Sequence, residues 1–144
     1  MYTNLYTEVH EVMYWSGIDT SAQGASQTVG PWVDVKQMHR LAAVLEAGTL
    51  TGTLAFILQG AEDDVGTNLE ALETVNLTAA DDDTLHYIEI RGEQIKAAAG
   101  VPYFRYVRIV LTHSNANVFC ATLLGIVPRN APVSTALIDS VNVV

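Results

Sequence analysis

The sequence predicts an all-β domain, an antiparallel β-sandwich of jelly-roll-like type with one or two short helical turns and extended terminal arms. Two observations carry that expectation. The run Val101 to Arg129, VPYFRYVRIVLTHSNANVFCATLLGIVPR, sets two long β-type segments either side of a short Ser-Asn-Ala-Asn turn. Short segments with alternating apolar residues also recur along the chain, separated by Gly- and Asp-rich turns, the spacing of a two-sheet sandwich. Size agrees: 144 residues, 49% of them apolar and 16% charged, suit one domain, which at this length buries roughly 68–70% of its unfolded surface. The expected organisation is a single domain over 1–144, with an N-terminal arm at 1–6 and a C-terminal arm at 133–144.

Taken in order, Tyr6 to Trp15 reads as a strand with an imperfect apolar pattern at Val9, Val12 and Met13. Asp19 to Gly30 (DTSAQGASQTVG) is rich in Ser, Thr, Gly and Gln and reads as a loop or extended connection. Trp32 to Val35 alternates as a half-buried strand does. Lys36 to Ala47 is ambiguous. Met38, Leu41, Ala42 and Leu45 have helical spacing, whereas Leu41 to Leu45 also suits an apolar strand. The favoured reading is a short or helical turn at Lys36–His39, then a strand through Leu45. Gly48 and Gly52 mark an expected hairpin turn.

Thr53 to Gln59 is a strand with Leu54, Phe56 and Leu58 on one face. An acidic loop follows at Gly60 to Thr67. Glu70 to Leu77 reads as a strand with Leu72 and Val75 inward, or as a weak helix. Asp81 to Asp83 mark a turn, and His86 to Arg91 a strand with Ile88 and Ile90 on one face. Gln94 to Ala99, stopped by Gly100 and Pro102, suits one helical turn. Tyr103 to Thr112 and Val118 to Val127 are expected to be the longest strands. The last dozen residues, VSTALIDSVNVV, read as an extended tail.

Charge and chemistry exclude more than they select. The net charge is -9, from 16 acidic and 7 basic residues, which repels polyanions and argues against nucleic acid as a partner. No uncharged apolar stretch reaches the ~18 residues of a membrane span, and no basic region followed by an apolar run opens the chain. The expected protein is soluble and unprocessed, with no membrane partner. Cys120 is the sole cysteine; its apolar surroundings suggest a buried, inert thiol.

His10, His39, His86 and His113 stand apart, without HExxH or HxH spacing. The nucleophile elbow GxSxG and the glycine-rich phosphate loops are absent. Two acidic runs, Glu62–Asp64 and Asp81–Asp83, lack the alternation of a calcium loop. The reading is therefore a non-enzyme with no catalytic residues, no metal and no cofactor. Contact surfaces are the remaining candidates. Aromatic and apolar side chains suit them, which selects Tyr2, Tyr6 and Trp32 towards the N-terminal end and Leu137, Ile138, Val141 and Val143 in the tail.

Three segments carry a resemblance: GPWVDVKQMHRLAAVLEAG, TLAFILQGAEDDVGT and YFRYVRIVLTHSNANVFCATLLGIVPRNAP. Their order, roughly from Thr28 to Pro132, resembles small structural proteins encoded beside the major capsid gene in tailed bacteriophages. The resemblance implies a capsid decoration (cement) protein that binds the outer shell of the virion, made in the host cytoplasm. It implies the major capsid protein as partner and self-association as a homotrimer. No residue-level motif comes with it. A tail or head–tail joining protein is the neighbouring alternative. The Tyr-Val-Arg strand also resembles jelly-roll carbohydrate-binding modules, a similarity that shared architecture can explain.

Overall fold

Alternation of buried and exposed residues builds this molecule. The computed structural model describes residues 26–36, 38–91, 104–115 and 117–128. Eight strands run in chain order: β1 (Ser26–Val29), β2 (Val33–Asp34), β3 (Met38–Ala47), β4 (Leu54–Ala61), β5 (Glu70–Leu77), β6 (Leu85–Arg91), β7 (Tyr106–His113) and β8 (Phe119–Pro128). A single 3-10 turn, Ala79–Asp81, is the helical element of the described residues.

The strands form two antiparallel sheets. The larger has the order β1-β7-β4-β5, with β2 also pairing with β7; the smaller has the order β6-β3-β8. Pairs β3–β8 and β4–β7 are antiparallel. The chain therefore runs as a long double strand folded across the two sheets, the motif of a jelly roll.

Between the sheets lies one core. From β4 it receives Leu54, Phe56 and Leu58, from β7 Val107, Ile109 and Leu111, from β3 Leu41, Ala43 and Leu45, from β8 Phe119, Ala121 and Leu123, and from β6 Ile88 and Ile90. Each set is spaced by two, so one face of each strand leaves water. Burial of a large aliphatic or aromatic side chain contributes about 1.5–3 kcal/mol, which makes this layer the main support of the fold.

Local deviations have identifiable causes. Leu72 and Val75 of β5 both pack on the core, although an odd spacing should place them on opposite faces. Glu73 sits opposite Leu58 and Ala71 opposite Gln59, so Leu72 is an extra residue in a bulge, and the bulge turns its side chain inward. At Gly60, a Cβ would lie 2.5 Å from the Phe104 ring. The missing side chain lets Phe104 close this end of the core.

Four expectations need correction. The glycine-punctuated segment Gly48–Gly52 is not a hairpin turn: β3 and β4 lie in different sheets, because β3 pairs on both sides with β6 and β8. The end of the polar connection at 19–30 is β1, whose Gln27, Thr28 and Val29 pair with Thr112, Leu111 and Val110. Cys120 is half-buried rather than buried, since alternation sends Phe119 and Ala121 inward and Cys120 outward. The longest strands are β3 and β8, each of 10 residues, while β7 has 8. The expected helical turn at Gln94–Ala99, the strand at Tyr6–Trp15 and both terminal arms lie outside the described residues.

Candidate functional site

At one end of the sandwich the two crossings between sheets are tied together by polar side chains. Asn117, fully buried, accepts the Thr51 N–H at 2.9 Å. Its amide donates to the carbonyls of Thr53 (3.4 Å) and Ser114 (3.2 Å). Ser114 Oγ accepts the Thr53 N–H at 2.9 Å. His113, also buried, meets the Phe119 ring edge-on at 5.3 Å and bonds Thr28 of β1 at 3.2 Å. His86 bonds Thr84 at 2.7 Å. Buried polar groups need partners, and these find them in the backbone and in hydroxyls.

The two acidic runs do similar work. Asp63 accepts the N–H groups of Val65 (3.2 Å) and Thr67 (2.8 Å) and the Thr67 hydroxyl at 2.5 Å, while Glu62 accepts the Asn68 amide at 2.6 Å. Asp81 and Thr78 form a reciprocal capping box around the 3-10 turn. Asp82 accepts the Leu50 N–H at 2.7 Å. Among the described residues no group of three or more His, Cys, Asp or Glu side chains is placed to hold a metal ion.

These bonds shift acidities. The Thr67 hydroxyl, with the loop N–H groups, lowers the Asp63 pKa, and the Thr78 N–H lowers that of Asp81. Partial burial alone would raise Asp34, but bonds from Arg105 and the Lys36 N–H outweigh it and lower it. A carboxyl whose pKa is lower folded than unfolded stabilises fully above its unfolded pKa and loses that contribution as pH falls through the folded value. The melting temperature is therefore expected to hold from neutral pH to about 4 and to fall below that. Asp63→Asn should flatten part of the decline, measured by thermal melts at stepped pH.

The opposite end carries an aromatic and basic cluster. The Arg108 guanidinium lies over the Trp32 ring, 4.3 Å from its centroid, and donates from Nε to Gln59 Oε1 at 3.0 Å. Burial lowers the Arg108 pKa but leaves it charged. Gly66, at φ +89, also approaches the indole, and a Cβ there would lie 3.1 Å from Trp32 Cζ2. Arg105 donates twice to Asp34 Oδ2, at 3.0 and 2.6 Å, and lies 5.3 Å from the centroid of the Tyr106 ring.

Trp32 is thus half-buried and packed. Tyr2, Tyr6, Leu137, Ile138, Val141 and Val143 lie outside the described residues. The structure adds two surface residues that sequence reasoning passed over: Leu85 and Tyr87 on β6, 67% and 69% exposed. The alternation of β6 assigns them to the outer face, and they are the large apolar side chains that this face shows.

No protein-family model matches the sequence, and no curated protein matches it. Among solved structures, the chain is similar to one from the disulfide-linked pili of Bacillus endospore appendages, with a TM-score of 0.48 and 15% identity over 88% of this chain and 97% of that one. It is also similar to a chain in the crystal structure of PirA, with a TM-score of 0.45 and 17% identity over 80% of this chain and 96% of that one. A third likeness, to infectious bursal disease virus Gx strain, has a TM-score of 0.27 and 11% identity over 82% of this chain and 41% of that one. All three scores fall below 0.5, so the fold assignment rests on the sheets themselves.

Proposed function

We propose that this chain is a non-enzymatic structural protein that works by attachment, and specifically that it decorates the outside of a viral capsid. The observation that carries this is where its polar groups are spent. Asp63, Asp81, Asp82 and Asn117 close backbone turns at the crossings and loops, while apolar side chains such as Leu85 and Tyr87 face water. Large exposed apolar groups are what interfaces use.

A stiff double sheet with pinned crossings suits a clamp on a shell. Several weak contacts per bound oligomer add through effective concentration, and extended arms at 1–6 and 133–144 could pair with neighbouring shell subunits by strand addition. The partner on this reading is the major capsid protein, with self-association as a trimer. Trp32 is a poor sugar platform, because Arg108 and Gly66 occupy its ring. A chain with one cysteine can link by disulfide to one neighbour but cannot propagate a disulfide-joined polymer.

Localisation tests the assignment. Antibodies raised against the folded sandwich are expected to label the outside of assembled shells in particles purified from the source. Labelling confined to tails, or to no assembled particle, would overturn it.

A further inference from the structure

Among the described residues the two sheets have four edges, and three of them are blunted. The β1–β2 edge is broken into strands of 4 and 2 residues, with Gly30 and Pro31 between them. Edge β5 carries Glu70 and Glu73 and the bulge at Leu72. Edge β6 carries Glu89 and Arg91. These are the usual devices that stop a sheet from pairing with another chain.

Edge β8 has none of them. Its 10 residues, FCATLLGIVP, include no charge, and its proline is the last residue. The strand pairs with β3 on one side, and among the described residues its other side has no strand partner. Side chains on its outer face (Cys120, Thr122, Leu124) are half-buried.

Charge decides what fits there. Edges β5 and β6 are joined by the short crossing at 78–84, so Glu70, Glu73, Asp81, Asp82 and Asp83 gather on that side of the sandwich, while Glu89 pairs with Arg40 at 3.4 Å. β8 is at the other edge of its sheet and touches β7. In a chain of net charge -9, two copies repel through most approaches. They meet without like charges facing when β8 lies against β8.

We propose that β8 pairs antiparallel with β8 of a second copy about a two-fold axis, joining the smaller sheets into one of order β6-β3-β8-β8-β3-β6. A two-fold pair closes on itself, whereas β8 against β6 would build an open fibre. Both copies keep their core faces on the same side only if residues of like parity face each other. Two registers meet that condition with equal overlap of the strands: Leu123 opposite its own copy, which sets Thr122 opposite Leu124, and Leu124 opposite its own copy. This two-fold pair takes the place of the trimer as the mode of self-association; attachment to a capsid does not depend on it, so either can fail without the other.

The test uses the full chain and its single cysteine. A nitroxide on Cys120 is expected to give one distance in the pair. In the Leu123 register the two Cα atoms are six residues apart along the strand, about 20 Å, and a register shifted by two residues moves that by about 7 Å. Sedimentation velocity over a concentration series should show a reversible dimer. Leu124→Lys, which sets ammonium groups close across the axis, should weaken it about tenfold or more, while Leu85→Lys on β6 should leave it unchanged. Hydrogen exchange should show β8 amides protected at high concentration and released in Leu124→Lys, with β3 protected in both. A monomer at every soluble concentration would overturn the proposal. So would an oligomer, trimers included, that Leu124→Lys leaves intact and Leu85→Lys breaks.

Discussion

Phe56→Ala is expected to cost about 3–5 kcal/mol of stability, a large part of the roughly 5–15 kcal/mol that holds a domain of this kind together. Phe56 is fully buried at the centre of β4. Leu111 of β7 flanks it on one side and Val75 of β5 on the other. The smaller sheet covers it, through the core that Leu45, Phe119 and Leu123 share with it. Truncation removes the transfer energy of the ring and leaves a cavity that hydrogen-bonded strands on both sides cannot collapse to fill. Urea unfolding checks it. The midpoint should fall by about 1–5 M with the slope little changed, because m for a domain of this size is on the order of 1–3 kcal/mol/M. Tyr87→Ala, on the outer face of β6 and 69% exposed, should stay within about 0.5 kcal/mol of the parent. If both substitutions cost the same, the assignment of faces to these strands is wrong.

Those faces were legible in the sequence where strands are half-buried. Leu54, Phe56 and Leu58 share one parity within Thr53–Gln59, and Ile88 and Ile90 alternate with Tyr87, Glu89 and Arg91; all five point into the core. The chain was harder to read where partners, not residues, decide the outcome. Met38 to Leu45 has spacing that suits a helix as well as a strand. Pairing on both sides makes it the central strand of its sheet, a long-range fact that no local pattern carries.

The same holds for the crossing at Gly48–Gly52: glycines mark a turn but do not say whether the chain stays in its sheet. β1 was missed because Ser, Gln and Thr are loop-like in composition, and its pairing comes from β7, more than 80 positions away. Among surface features, Trp32 could be named from its residue type, but its burial under Arg108 and Gly66 depends on the fold. That β8 is a strand was readable. Its place at an edge was not, since edge status is a property of sheet order.

Asn117 was equally hidden, reading as an ordinary turn residue, and it supplies the sharpest test of the pinned crossings. Its side chain uses both ends of the amide: oxygen to the Thr51 N–H, nitrogen to the carbonyls of Thr53 and Ser114. Asn117→Asp keeps the first bond and inverts the others, setting a carboxylate oxygen against two carbonyl oxygens at a fully buried position. An uncompensated charge at such a site costs about 3–5 kcal/mol. Asn117→Ala should cost less, about 1–3 kcal/mol, since it strands polar backbone groups but buries no charge. Burial and the facing carbonyls raise the pKa of the new carboxyl in the folded state above its unfolded value near 3.9. The penalty is therefore full at pH values above the folded pKa and shrinks as pH falls through it, where the protonated acid regains a donor for the Thr53 or Ser114 carbonyl. Denaturant unfolding of Asn117→Asp and the parent at pH 7 and near pH 4.5 should show the gap narrowing, while the gap for Asn117→Ala stays constant. A penalty for Asn117→Asp that does not change with pH would mean that water reaches this end of the sandwich and that the two crossings are not pinned by a dry amide.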